Sequence, residues 1–115
     1  MLKGSSSSVR IFYPRFSRDE VIQKIKEKLE VLNSKLPLIS VTLFGSYAKG
    51  NYTAFSDIDL MIIYKGDQKE NAYAVAKKTL SIPSLEIHIY SENEYNELRN
   101  IIDKMTKDGI VIYEI

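Results

Sequence analysis

Two short polar segments, each beside an apolar run of strand length, carry residue types that could do chemistry on a phosphate. Gly45 and Ser46 follow one run, and Asp57 and Asp59 open the next. A glycine lets the backbone come close to a ligand, and backbone N–H groups with a serine hydroxyl can bind phosphate oxygens at a helix start. A carboxylate pair suits Mg²⁺, which prefers oxygen ligands and leaves positions for water and phosphates. Together the segments predict a phosphate and metal site.

The alternation of side chains along a strand predicts where the aspartates point. Residues i and i+2 share a face, so Asp57 and Asp59 should project together, while Ile58, Leu60 and Ile62 point the other way into the core. An isolated Asp-x-Asp is also common at a solvated strand end, and a lone glycine often only turns a corner. These structural alternatives explain each residue separately, but they explain the combination of glycine turn and carboxylate pair poorly.

The elements that must position this site can be read from caps, apolar spacing and turn residues. Ser17 and Glu20 form a capping box at a helix start, and Ser91 and Glu94 form another. The predicted order is a helix from Ser17 to Pro37, strand Leu38–Phe44, a short helix or turn, strand Ile58–Tyr64, a helix within Asp67–Leu80, strand Ser84–Tyr90, a helix from Ser91 towards Gly109, and strand Ile110–Ile115. This order indicates an α/β or α+β sheet covered by helices.

Length and composition limit the classes of protein that this chain can represent. With 115 residues, 44% hydrophobic and 27% charged, it is predicted to form one compact domain, spanning residues 17–115. The serine-rich start of segment 1–16 is predicted to be a flexible arm, and Val9–Tyr13 either a weak edge strand or an extended lead-in. There is no cysteine, which excludes disulfides, thiolate catalysis and cysteine-bound zinc.

The sequence also argues against membrane insertion and broad nucleic-acid binding. No run approaches the roughly 20 apolar residues of a membrane span. The N-terminus lacks the apolar core of a secretory signal, which predicts a cytoplasmic protein. The net charge is only +1, and Lys24, Lys26 and Lys28 follow one helix without interleaved aromatic residues. Nucleic acid is therefore not the expected partner.

The spacing of glycines, serines and aspartates resembles that of a known family. In order and spacing, the motif comprises Gly45-Ser46, Gly50 and Ser56-Asp57-Ile58-Asp59. It resembles the nucleotidyltransferases of the DNA polymerase beta superfamily, and within it the minimal nucleotidyltransferases of bacteria and archaea. The resemblance extends from about Ser17 to Ile115. It implies an α+β (α/β-like) polymerase beta-type nucleotidyltransferase fold, with a mixed sheet of about four to five strands covered by helices.

The resemblance also implies a third carboxylate on a neighbouring strand, and Glu86 stands in the matching place. It is a glutamate where many relatives carry aspartate. Glu86, His88 and Tyr90 share one face of that strand by alternation, which invites a functional interpretation, although an exposed sheet face would also explain them. His88 is expected to be packed or solvated rather than catalytic.

The chemistry that the resemblance implies is the transfer of a nucleoside monophosphate, AMP from ATP, to a hydroxyl group with two Mg²⁺ ions. The implied catalytic residues and metal ligands are Asp57, Asp59 and Glu86. The implied nucleotide-binding and phosphate-binding residues are Gly45, Ser46, Lys49 and Ser56. Lys49 could equally be a solvated lysine, and either Tyr47 or Tyr52 could pack on the nucleotide.

The resemblance finally implies a partner, because minimal nucleotidyltransferases are typically paired with a small helical HEPN protein. The two form a toxin–antitoxin pair in which the nucleotidyltransferase neutralises the toxin, in some cases by adenylylating a tyrosine. A protein hydroxyl is therefore the expected acceptor. The alternative is a binding or antitoxin subunit that keeps the fold with little or no catalysis.

Overall fold

Helices and strands alternate along residues 14–115, the part of the chain that this computed structural model describes. The elements are α1 (Arg18–Lys35), β1 (Leu38–Phe44), α2 (Ser46–Lys49), β2 (Ile58–Tyr64), α3 (Ala72–Leu80), β3 (Leu85–Ser91), α4 (Glu92–Met105) and β4 (Ile110–Glu114). Every helix and strand predicted within this range is present, and the segment after Gly45 is a short helix. The predictions for Val9–Tyr13 and the serine-rich arm lie outside the described residues.

The strands form one mixed sheet in the order β3-β2-β1-β4. β1 runs antiparallel to both β2 and β4, and β2 runs parallel to β3. A parallel pair needs a crossover connection, which α3 provides between β2 and β3. The predicted α+β class is confirmed, and residues 14–115 contribute four strands to the sheet.

Capping boxes fix where the two longest helices begin. The Ser17 hydroxyl accepts from Glu20 N at 3.1 Å, and Glu20 Oε1 accepts from Ser17 N at 2.8 Å. Ser91 and Glu94 repeat both contacts at 3.1 and 2.9 Å. Hydrogen bonds from Ser17 hold the pKa of Glu20 below its usual value of 4.5. Within residues 14–115, no helix is long and apolar enough to cross a membrane.

Side chains of β2 alternate between two apolar clusters on opposite faces of the sheet. α1 and α3 cover one face, which we call the α1–α3 face, where Ile25 and Leu60 are fully buried. α4 covers the other, the α4 face, with a smaller cluster that includes Met61 and Ile102. Asp59 shares the α4 face with Met61 by alternation. The strand thus supplies a core residue to one face and a carboxylate to the other.

Candidate active site

Strand register brings the glycine turn and two of the predicted carboxylates to the same end of the sheet. Phe44, the last residue of β1, pairs with Asp59. Asp59 in turn pairs with Glu86 across the parallel β2–β3 ladder. Because neighbouring strands lie about 4.8 Å apart, Glu86 is a direct neighbour of Asp59. Gly45 follows Phe44 and therefore lies beside Asp59.

Gly45 is required by its backbone conformation and by its contact with Asp59. Its φ of 74° lies in the region that favours glycine. A Cβ built at this position would lie 2.5 Å from Asp59 Oδ2, which is too close for any side chain. The sequence predicted close approach of this glycine to a ligand. In the structure its backbone lies directly against the Asp59 carboxylate.

Gly45 and Gly50 delimit the short helix α2. Gly45 caps its start, and the first helical bond runs from Lys49 N to Gly45 O at 3.1 Å. Gly50 ends it in the left-handed conformation, with a φ of 84°, and its N–H donates to Ser46 O at 3.0 Å. The N–H groups of Ser46 and Tyr47 belong to the first turn, whose donors helical bonding leaves available for a ligand.

Tyr47 and Tyr52 anchor this loop to the start of α1. Their rings stack with centroids 4.1 Å apart and planes 9° apart. The Tyr47 hydroxyl donates to Phe16 O at 3.1 Å, and the Tyr52 hydroxyl accepts from Arg18 N at 3.0 Å. Burial, followed by the nearby Tyr52, raises the pKa of Tyr47. Tyr47 is only 3% exposed, so it is packed inside the protein rather than presented to a nucleotide.

Ser56 and Asp57 lie in the turn that leads into β2. The Ser56 hydroxyl accepts from Thr53 N at 2.8 Å, and Ser56 N donates to Thr53 O at 3.1 Å. Ile58 N then donates to Ser84 O at 2.8 Å, which ties the start of β2 to the segment before β3. Asp57 is exposed just before the strand. Ser56 thus holds the turn, and its role towards phosphate stays a prediction.

His88 contacts Asp59, which sequence reasoning missed. Its Nε2 lies 3.3 Å from Asp59 Oδ1, and the two side chains are 27% and 28% exposed. An ionised carboxylate only accepts hydrogen bonds, so a hydrogen bond here requires a proton on Nε2. The imidazole also packs edge-on against Phe44, at 5.0 Å between centroids. The sequence feature that could have predicted this contact is strand alternation, which places His88 on the same strand face as Glu86.

Comparison with known proteins shows the family to which this chain belongs. The sequence profile of a family described as "Nucleotidyltransferase domain" matches residues 22–113. The chain belongs to this nucleotidyltransferase family. The match runs from α1 into β4, so it includes the glycine turn and all three predicted carboxylates of the nucleotidyltransferase.

Curated relatives of this nucleotidyltransferase include three inferred protein adenylyltransferases of Methanocaldococcus jannaschii. One is 47% identical over 47 residues, covering 41% of this chain and 29% of the relative. The second is 40% identical over 43 residues, covering 37% and 43%. The third is 49% identical over 41 residues, covering 34% and 41%. The chain thus matches less than half the length of each relative.

Solved structures similar to the nucleotidyltransferase share its fold. A crystal structure of an inferred nucleotidyltransferase from Sulfolobus solfataricus aligns with a TM-score of 0.57 and 25% identity, covering 84% of this chain and 83% of that one. A complex of tri-AMPylated Shewanella oneidensis HEPN toxin with MNT antitoxin aligns with a TM-score of 0.56 and 18% identity, covering 85% of this chain and 73% of that one. A toxin–antitoxin structure with AMP-PNP aligns with a TM-score of 0.56 and 19% identity, covering 78% of this chain and 73% of that one. The expected nucleotidyltransferase fold is confirmed.

The predicted carboxylates of the nucleotidyltransferase can be compared with the ligands that Mg²⁺ takes in proteins. Within residues 14–115, no group of three or more His, Asp or Glu side chains is arranged to hold a metal. Mg²⁺ usually takes one or two carboxylates and completes its shell with water and substrate phosphates. Asp59 and Glu86, adjacent across the ladder, match that donor set. Metal binding by Asp57, Asp59 and Glu86 stays a prediction.

A cleft of about 110 Å³ opens next to the glycine turn of the nucleotidyltransferase. It is lined by Phe44, Gly45, Lys49, Lys104, Met105, Asp108 and Gly109. Lys49 was predicted to contact phosphates, whereas Lys104 and Asp108 were not singled out from the sequence. Lys104 and Asp108 come from the end of α4 and the turn after it. These segments lie beside the glycine turn because β4 pairs with β1.

Proposed function

We propose that the chain is a Mg²⁺-dependent nucleotidyltransferase that moves AMP from ATP to a hydroxyl group on a protein. The observation that carries this proposal is the meeting of Gly45, Asp59 and Glu86 at one end of the sheet. The curated relatives, named as inferred protein adenylyltransferases, support the reaction. The similar structure with AMP-PNP, an ATP analogue, supports the nucleotide.

In this proposal the first turn of α2 binds the nucleotide phosphates. The N–H groups of Ser46 and Tyr47 and the Ser46 hydroxyl donate to phosphate oxygens. Gly45 contributes by having no side chain, because its backbone can then lie between the phosphates and Asp59. Lys49, exposed at the end of α2, offsets negative charge on the outer phosphates.

The carboxylates act on the metal and on the acceptor. Asp57, Asp59 and Glu86 would hold the two predicted Mg²⁺ ions. Bound Mg²⁺ would stabilise charge on the phosphates and lower the pKa of the acceptor hydroxyl. Glu86 is exposed, so an acceptor can reach it, and its carboxylate takes the hydroxyl proton. The acceptor oxygen bonds to the α-phosphorus as the bond to the β-phosphate breaks, and pyrophosphate leaves.

The acceptor that we propose is a HEPN-type helical protein, with this chain as its antitoxin. The similar complex from Shewanella oneidensis joins an MNT antitoxin to a HEPN toxin carrying AMP groups. The fold likeness is the reason to test a HEPN protein before small molecules. Recovery of activity on a small molecule together with no HEPN partner in a pull-down would contradict the acceptor.

Labelled ATP tests the reaction directly. Wild type is incubated with ATP, Mg²⁺ and a candidate HEPN protein, beside Asp59→Asn and the matched surface variant Glu97→Gln. We expect wild type and Glu97→Gln to label the acceptor equally, and Asp59→Asn to leave it almost unlabelled. Equal labelling by wild type and Asp59→Asn would refute catalysis at this site.

The second candidate function is a binding antitoxin that keeps the fold without transfer. One observation favours it, namely that residues 14–115 contain no prebuilt three-ligand metal group. A ligand that binds only the native state must raise the melting temperature. A shift with ATP and Mg²⁺ together supports the enzyme, and no shift at millimolar ligand supports the binding subunit.

A further inference from the structure

The cleft beside the glycine turn has two walls that come from distant parts of the chain. Lys49, at the end of α2, lines one wall, and Lys104, in the last turn of α4, lines the other. Gly45 belongs to the lining as well as to the contact with Asp59. The cleft therefore opens directly beside the candidate catalytic carboxylate. Its volume of about 110 Å³ is enough for several water-sized groups.

Gly109 fixes the wall that carries Lys104. A Cβ at this position would lie 2.8 Å from Leu43 O and 2.8 Å from the Thr42 side chain. Gly109 N also donates to Thr106 O at 2.9 Å, which closes the turn after α4. The absence of a side chain lets this turn sit directly on the end of β1. As a result, the last turn of α4 is held close to the glycine turn.

The charges lining the cleft favour an anion. Among the lining residues from the described part of the chain, Lys49 and Lys104 contribute two positive charges and Asp108 one negative charge. Among residues 14–115, no carboxylate oxygen lies within 4.0 Å of the ammonium group of Lys49 or Lys104. Both ammonium groups can therefore pair with a ligand. A plain alternative is that Lys104 only complements the dipole of α4.

We propose that Lys104, together with Lys49, binds the terminal phosphates of the nucleotide in this cleft. The inference rests on the proposed function and adds Lys104 to it as a binding residue for the pyrophosphate end. With the α-phosphate beside Asp59, the β- and γ-phosphates extend past Gly45 between the two lysines. Lysine ammonium groups bind phosphate as compact charges, and their attraction holds pyrophosphate as well as the triphosphate.

Calorimetric titration of Lys104→Gln tests this subsite without any acceptor. The probes are ATP, inorganic pyrophosphate and AMP, each with Mg²⁺. We expect Lys104→Gln to weaken ATP and pyrophosphate binding about tenfold, the usual scale for a lost charged contact, and to leave AMP binding unchanged. Asp108→Asn should tighten pyrophosphate binding, because it removes a negative charge that lines the cleft.

Lys107→Gln is the matched control, because Lys107 is exposed near the same turn but does not line the cleft. Equal losses for Lys107→Gln and Lys104→Gln would overturn the subsite, since the effect would then reflect overall charge. Unchanged ATP affinity in Lys104→Gln, with wild type binding normally, would overturn the subsite alone. If wild type itself binds neither ATP nor pyrophosphate, the proposed function fails, and the subsite fails with it.

Discussion

The two faces of the sheet are built differently, although the same strands supply both. The α1–α3 face is covered by two helices and holds the larger apolar cluster, with Leu60 fully buried. The α4 face is covered by one helix over a smaller cluster, and Asp59 lies at its end with a quarter of its side chain exposed. Adjacent residues of β2 thus differ in role under the proposed function: Leu60 contributes to stability and Asp59 to catalysis. Changes on one face should leave the other property largely intact.

The largest effect on stability should come from Leu60→Ala on the α1–α3 face. Leu60 is 0% exposed, and truncation leaves a cavity that costs about 2–5 kcal/mol of unfolding free energy. Urea denaturation measures the loss, and Val31→Ala, at a 47% exposed position, is the control with little expected change. Transferase activity per folded molecule should stay near wild type. A large loss of activity in folded Leu60→Ala would break the separation of the two faces.

Gly45→Ala should disturb both properties, because Gly45 joins the sheet to the site. The alanine must adopt a φ of 74° and its Cβ meets Asp59 Oδ2, so we expect a loss of about 1–3 kcal/mol in stability and near-complete loss of activity. Gly66→Ala is the matched control, since Gly66 has a φ of 87° but no atom within 4 Å of the added Cβ. Comparable activity losses in both variants would show that backbone strain alone, not the contact with Asp59, is responsible.

His88→Ala should test whether side chains on the α4 face contribute to catalysis. Loss of the contact with Asp59 Oδ1 should lower kcat by about 10-fold, the scale for partners that orient a metal ligand, with little change in the KM for ATP. Steady-state kinetics of His88→Ala measures this effect, and the single variant Tyr90→Phe, on the same strand face, is the control. A rise in KM without a fall in kcat would contradict a positioning role for His88.

The smallest effect concerns the cap of α1, where Glu20 makes an exposed hydrogen bond with Ser17. Because the pKa of Glu20 is lowered in the folded protein, its contribution to stability is present above its usual value of 4.5. That contribution is lost as the pH falls through the lowered folded value. Glu20→Gln should therefore lower the melting temperature slightly at neutral pH and much less in acid. An equal decrease with Glu27→Gln, which is on the same helix but outside the cap, would contradict this origin.

The fold was largely predictable because its signals are local. The capping boxes at Ser17 and Ser91, the apolar strand patterns and Pro37 each specify a boundary within a few residues of sequence. Strand order is not local, and this explains what sequence reasoning missed. The His88–Asp59 contact depends on the β2–β3 register. The place of Lys104 beside Gly45 depends on β4 pairing with β1, between segments far apart in sequence.

The pairing of Phe44 with Asp59 has a consequence for how the protein can change. The loop between β1 and β2 leaves the sheet and returns to it at this one pair, so both ends of the loop are fixed by strand hydrogen bonds. Closing a longer loop costs little, about 0.6 kcal/mol for each doubling of length. Insertions near Ala54 could therefore remodel the surface offered to an acceptor while Gly45 and Asp59 keep their places.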